Sequence, residues 1–217
     1  FDACLMGMFE IAYQLRNQTN VMVASQHLEP AKGWDYERIL NELDTSKQAN
    51  DIAEQLISFH DEHHTNEKRD VTKSAIDTEI IEDVAEALDR FAEVLRASLK
   101  EGDEEANRKE LEITLSNSQF FHRKDYVDLI DFVEKVKSRL AIEAVEPHAQ
   151  KLLESVREMV IANHTIGYYM EDANGLSIYF PKYRPFEEIF TMYEKLDFVA
   201  ACPNWVKLLK WYILGLK

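Results

Sequence analysis

Cys4 stands in Phe1-Asp2-Ala3-Cys4-Leu5-Met6-Gly7, where an extended segment would give way to the apolar, helically spaced residues 5–15. A helix starting directly after it would aim unpaired, partly positive backbone N–H groups at the sulfur. Such groups favour a thiolate and can stabilise an oxyanion. The competing reading is a buried cysteine that packs as a small apolar side chain. Asp2, two residues earlier, carries a carboxylate that could bind a basic substrate side chain, or serve as a cap or a surface charge.

The seven histidines are His27, His60, His63, His64, His122, His148 and His164. His60 and His64 lie four apart and, with His63 and Asp61, could offer metal ligands. The charge-dense stretch 61–70 that contains most of them reads as an exposed, solvated loop. His27 follows the β-branched run 21–25, and its neighbours Glu29 and Pro30 suit a loop better than a catalytic scaffold. An aromatic concentration (Tyr168, Tyr169, Tyr179, Phe180, Tyr183, Phe186 and Phe190) suits a core or a packing surface. Nothing matches a Gly-x-Gly-x-x-Gly or phosphate-loop sequence, so nucleotide binding has no support.

The elements that must position these groups follow from pattern and punctuation. Residues 21–25 and 175–181 read as strands, the second opened by Asn174-Gly175 and stopped by Pro181, with a third short strand at 71–75. Helical patterns cover 36–43, 49–64, a long segment from Asp77 or Thr78 to Leu99, then 105–115, 126–140, 146–162 and 203–213. Gly102 suits a left-handed helix end and Pro203 a first helical turn. Residues 1–36 and about 167–217 are thus expected to be sheet-associated, and about 37–166 a mostly helical elaboration of one domain. The strands are too few for a full sheet, so the rest are expected from upstream sequence or another chain.

Composition narrows the function classes. Forty acidic against 25 basic residues give a formal charge of −15, which disfavours a protein that tracks nucleic-acid phosphates and favours cationic partners. The two cysteines, Cys4 and Cys202, form no disulfide framework and no Cys-x-x-Cys zinc motif. No stretch approaches the roughly 18 apolar residues of a membrane span.

Several blocks together resemble the clostripain family of cysteine peptidases. Asp2-Ala3-Cys4-Leu5-Met6-Gly7 with Glu10 and Ala12-Tyr13 is similar to that family's nucleophile motif. Val23-Ala24-Ser25 with Glu29-Pro30, Gly33-Trp34 and Tyr36 resembles its next strand and loop. Ser74-Ala75-Ile76-Asp77, the block from Tyr126 to Phe132, and the block from Asn174 to Pro181 extend the match in order along most of the chain. The resemblance implies a partial caspase-like α/β/α sandwich and a His–Cys dyad endopeptidase cleaving after Arg or Lys. Cys4 would be the nucleophile and Asp2 one acid of the specificity pocket, with Asp35 the candidate for the second and Glu29 the reserve. The family's histidine precedes its cysteine, so it would lie upstream of Phe1. The 217 residues alone are then expected to hold half a catalytic site and to be inactive without the upstream half. The chemistry needs no cofactor, although Ca2+ is used by some members, and family habit points to an exported or cell-envelope bacterial protein. The alternative is a non-catalytic pseudopeptidase whose helical region binds a protein partner.

Overall fold

The structure is a computed structural model, and it describes residues 1–66, 69–185 and 187–215. Glu67, Lys68 and Phe186, which belong to the charged stretch and aromatic concentration above, lie outside the described residues. In chain order the elements begin with α1 (Phe9–Leu15), β1 (Val21–Ala24), α2 (Tyr36–Glu42), α3 (Ala49–His64), β2 (Val71–Asp77) and α4 (Ile81–Leu99). Then come α5 (Glu104–Asn117), β3 (Phe120–Phe121), β4 (Arg123–Asp128), α6 (Leu129–Lys135) and α7 (Glu146–Met159). The last are β5 (Val160–Ile166), β6 (Ser177–Tyr179), α8 (Glu187–Tyr193), α9 (Asp197–Ala201) and α10 (Pro203–Leu214).

The strands form two three-stranded antiparallel sheets, ordered β1-β2-β5 and β3-β4-β6. Met8 makes a parallel bridge to Ser177 of β6, and the neighbouring Gly7 N–H donates to Ser25 O just past β1. Period-two alternation sorts the first sheet's side chains into two layers. Val21, Val23 and Ala75 pack with Ala53 and Ile57 of α3. Met22, Ala24 and Ile76 face the main core, built largely from α1, α4, α7 and α10. Helices therefore cover both faces of this sheet.

Helix α4 is the spine of the main core. Val84, Leu88, Phe91 and Leu95 are fully buried along one stripe, each contributing about 1.5–3 kcal/mol by leaving water. Lys100 and the left-handed Gly102 (φ 70°) end the helix as the sequence leads one to expect, and Pro203 opens α10. Its start differs: Ile80 occupies the N-cap position, Asp77 accepts the Glu79 N–H, and Thr78 bonds the Thr19 carbonyl.

Two segments expected to be helical are partly strand. Residues 126–128 close β4, and the helix begins only at Leu129, where the Asp128 carboxylate accepts the Asp131 N–H as N-cap. Helix α7 stops at Met159, and β5 begins at once with the β-branched pair Val160-Ile161. The sheets are thus fuller than expected, because β3, β4 and β5 come from within the nominally helical region. The aromatic concentration also divides: Tyr179 and Phe180 are core, whereas Tyr168, Tyr169 and Tyr183 are exposed.

Candidate functional site

Cys4 lies at the apex of a tight turn rather than at a helix start, since α1 begins only at Phe9. The Phe1 amine reaches the Val23 carbonyl at 2.6 Å. The chain then reverses, with Leu5 in the left-handed region (φ 62°), and returns past the same neighbour: Leu5 N–H donates to His27 O (3.0 Å) and Gly7 N–H to Ser25 O (2.8 Å). A leucine in that conformation is strained. Its side chain packs against Phe121, Met170 and Ala173, which helps to hold it. Gly7 is required by close approach, because a Cβ there would sit 2.9 Å from the Gln26 backbone nitrogen.

The turn leaves Cys4 exposed, and it is not disulfide-bonded. The Glu29 backbone N–H donates to its sulfur at 3.2 Å. The polar donor beside the thiol is therefore a loop amide, not the helix terminus that the sequence pattern led one to expect. Cys202 is also free, buried beneath α4 with its thiol on the Ala85 carbonyl.

The acidic candidates gather around this turn in different states. Asp2 is exposed and accepts the Tyr36 hydroxyl at 2.8 Å; its Oδ2 would lie 3.0 Å from a Cβ placed on Gly33. Asp35, between those two contacts in sequence, caps α2 through the Arg38 N–H (3.1 Å) and pairs with His63 (3.4 Å). Glu29 is spoken for: Oε1 meets His60 Nε2 at 2.9 Å and Oε2 accepts the Lys73 ammonium at 2.7 Å. Burial alone would raise the Glu29 pKa, but the His60 hydrogen bond and the Lys73 charge outweigh it and hold the carboxyl below its usual range. Lys73 is pulled down from the normal lysine range by burial, against the opposing charges of Glu29, Asp2 and Cys4.

His60 and His64 belong to the last turns of α3 and are buried, not displayed on a solvated loop. Glu29, His60 and His64 each offer a ligand atom, all within 4.8 Å of one another. Two imidazoles and a carboxylate would suit a transition-metal ion, but the Lys73 ammonium already supplies the positive charge on Glu29. His27 points elsewhere: its Nδ1 accepts the His122 N–H at 3.2 Å, and burial lowers its pKa against the opposing charge of Asp70. It lines a cleft of 620 Å³ together with Asp70, His122, Tyr168 and Tyr169.

A third group fixes the turn from behind. Asp128 is fully buried and accepts from Gln26 Nε2 (2.9 Å), the Asn174 N–H (2.7 Å) and Asn174 Nδ2 (3.0 Å), while Gln26 Oε1 holds the Gly175 N–H (2.8 Å). Desolvation raises the Asp128 pKa to about 6 despite these bonds. Sequence reasoning passed over Lys73 and the structural role of Asp128. The signal for Lys73 was available, as a lone charge among the six buried residues Val71-Thr72-Lys73-Ser74-Ala75-Ile76.

A family model described as the Clostripain family matches residues 1–212. Clostripain of Hathewaya histolytica is 24% identical over 223 residues, covering 83% of this chain; the chain spans 42% of that relative's length. Among solved structures, a B. fragilis cysteine protease superposes with a TM-score of 0.72 at 18% identity, over 98% of this chain and 88% of that one. A clostripain from Bacteroides thetaiotaomicron in complex with the peptide inhibitor BTN-VLTK-AOMK gives 0.67 at 18% identity, over 93% and 85%. These likenesses show the caspase-like fold, and the family model spans nearly the whole sequence. The chain belongs to the clostripain family of cysteine peptidases.

Proposed function

We propose that Cys4 is the nucleophile of an endopeptidase that cleaves after Arg or Lys, and that its general base is a histidine contributed from outside these 217 residues. The observation that carries this reading is the exposed Cys4 sulfur, held at a turn apex under an amide donor, with Asp2 two residues away. His27 Nδ1 accepts the His122 N–H and His60 Nε2 meets Glu29, while His63 and His164 stand beside the carboxylates of Asp35 and Asp61. The family resemblance implies a base upstream of Phe1, and this reading assigns that role to another segment of the intact protein.

In this reading the Cys4 thiolate attacks the scissile carbonyl, forming a C–S bond, and the carbonyl oxygen becomes an oxyanion facing the Cys4 N–H. The histidine protonates the departing amine as the C–N bond breaks. Water then releases the acyl group from sulfur. Asp2 and Asp35 form the basic-residue pocket, with Tyr36 orienting Asp2; Glu29 is left out because Lys73 and His60 already neutralise it. The lysine in the inhibitor peptide bound to the B. thetaiotaomicron relative supports a basic preference. Export from the cell belongs to the same proposal, and the chemistry needs no cofactor; because some family members use Ca2+, a chelator added to the assay checks whether this protein does.

The test compares reporter peptides ending in Arg, Lys and a neutral residue, hydrolysed by the intact protein and by its Asp2→Asn variant. Wild type should favour the basic reporters, and the variant should lose about tenfold or more of that preference, as expected for one charge-assisted contact. Equal selectivity in the two proteins would remove Asp2 from the pocket.

A further inference from the structure

Three features lie outside the catalytic assignments: the 620 Å³ cleft beside His27, the Glu29–His60–His64 donor set, and the buried Lys73. The last two converge on one residue. Glu29 is the only described residue that touches the Cys4 sulfur through a hydrogen bond, and its side chain is clamped at both oxygens. We propose that Lys73 and His60 form a positioning network that fixes the Glu29 backbone N–H on the Cys4 sulfur. This rests on the reading of Cys4 as nucleophile and adds the device that keeps its thiolate supported.

The argument starts from the loop. Residues 25–35 leave β1 without regular structure, and an unrestrained loop would not hold one amide on one sulfur. Three anchors tie it to β2, the middle strand of its sheet. Ser25 Oγ and Thr72 Oγ1 lie 2.9 Å apart, the His27 N–H donates to Thr72 Oγ1 (3.0 Å), and the Glu29 carboxylate accepts from Lys73 (2.7 Å). The Cys4 turn is bonded to the same loop at residues 25 and 27. Turn and loop are thus two rails fixed to one strand, and Glu29 N–H to Cys4 Sγ is the final rung.

The chemistry of the clamp favours permanence. Lys73 has no exposed side-chain surface; its ammonium also donates to the Phe1 carbonyl (3.3 Å) and stands 4.6 Å from the centroid of the Trp34 ring. His60 is buried against the same indole, burial pulls its pKa below the usual imidazole range, and its Nε2 faces Glu29 at 2.9 Å. The ion pair is therefore desolvated and hydrogen-bonded, the condition under which removing one partner is costly. Lys73 stands among the charges of Glu29 and Asp2 and near the Cys4 sulfur, and the Phe1 amine lies in the same group. An amide that donates to sulfur favours the ionised form, so loosening it should make the thiolate harder to form.

The experiment uses the intact protein and reads the pH dependence of Cys4 alkylation by iodoacetamide beside kcat and KM on an Arg reporter. His60→Leu removes the Nε2 donor, and His60→Gln replaces it with an amide N–H. The inference expects His60→Leu to raise the alkylation midpoint by about one pH unit and to lower kcat about tenfold with KM nearly unchanged, the scale of a lost hydrogen bond to a charged group. His60→Gln should recover most of both. If His60→Leu folds and keeps the wild-type midpoint and kcat, the inference is overturned. Should that variant fail to fold, the Glu29 amide resonance of the wild-type protein decides: it must titrate with the Cys4 alkylation midpoint, and a flat response overturns the network. Cys4→Ala separates the two readings, because full activity in that variant removes the nucleophile assignment itself, whatever His60 does.

Discussion

The two faces of the β1-β2-β5 sheet are built from different material. On the main-core face, Met22, Ala24 and Ile76 join an apolar mass that continues into an aromatic cluster around Phe180, with Phe132, Trp205 and Tyr212 at centroid distances of 5.2–5.4 Å. On the α3 face, the buried apolar contribution is Ala53, Ile57 and Ala75, and the space beside them holds Lys73, Glu29, His60 and His64. The first face is held by area and shape, which tolerate no specific partner but punish lost volume. The second is held by a few exact pairings, which contribute little net stability yet fail sharply when one member goes. The polar face is also the one that reaches the Cys4 turn.

Thermal or denaturant unfolding of three variants would break or sharpen that contrast. Trp205→Ala, a fully buried ring in the aromatic cluster, should cost about 3–5 kcal/mol. Lys73→Met should cost about 3 kcal/mol by leaving Glu29 buried without its cation, and Lys73→Met/Glu29→Gln should return most of that loss. Recovery in the double variant is the signature of an ion pair; a double variant worse than the single would mean that Lys73 acts mainly by packing.

Glu10 gives a smaller, pH-dependent effect. Its carboxylate is buried among core residues, accepting the Tyr179 N–H (2.9 Å) and the Tyr193 hydroxyl (3.0 Å), and burial raises its pKa to about 7. A carboxyl raised on folding stabilises the fold fully below its unfolded pKa, and that contribution is lost as pH rises through the folded value. Between pH 5 and 8 the protein should lose about 2 kcal/mol from this group. Glu10→Gln should flatten that slope, and an unchanged slope would assign the pH dependence elsewhere.

How far the sequence announced this arrangement depends on the kind of signal. Apolar periodicity located α3, α4 and α10 because each buries one continuous stripe, and Pro203 and Gly102 marked ends with their own backbone preferences. The same method carried α7 through Ala162, since Val160 and Ile161 continue the apolar pattern; only their β-branching told of the strand. Strand β4 is polar for half its length, Arg123-Lys124-Asp125, so its pairing with β6 left no periodic trace. Near the site, motif resemblance drew attention to Cys4, Asp2 and Asp35. The support for Cys4 was misjudged, because whether an amide comes from a helix start or a neighbouring loop is decided by the φ of Leu5 and by contacts some 25 residues away. Lys73 and His60 meet Glu29 from a different strand and helix, and such a meeting is written in tertiary packing, not in local spacing.

The central claim is that Cys4 performs the bond-forming step, and turnover of an Arg-ended reporter by the intact protein and its Cys4→Ala variant tests it most directly. Both proteins should unfold at the same temperature, since an exposed side chain at a turn apex packs against little. The account predicts that hydrolysis falls to background in the variant. Hydrolysis at the wild-type rate would contradict it.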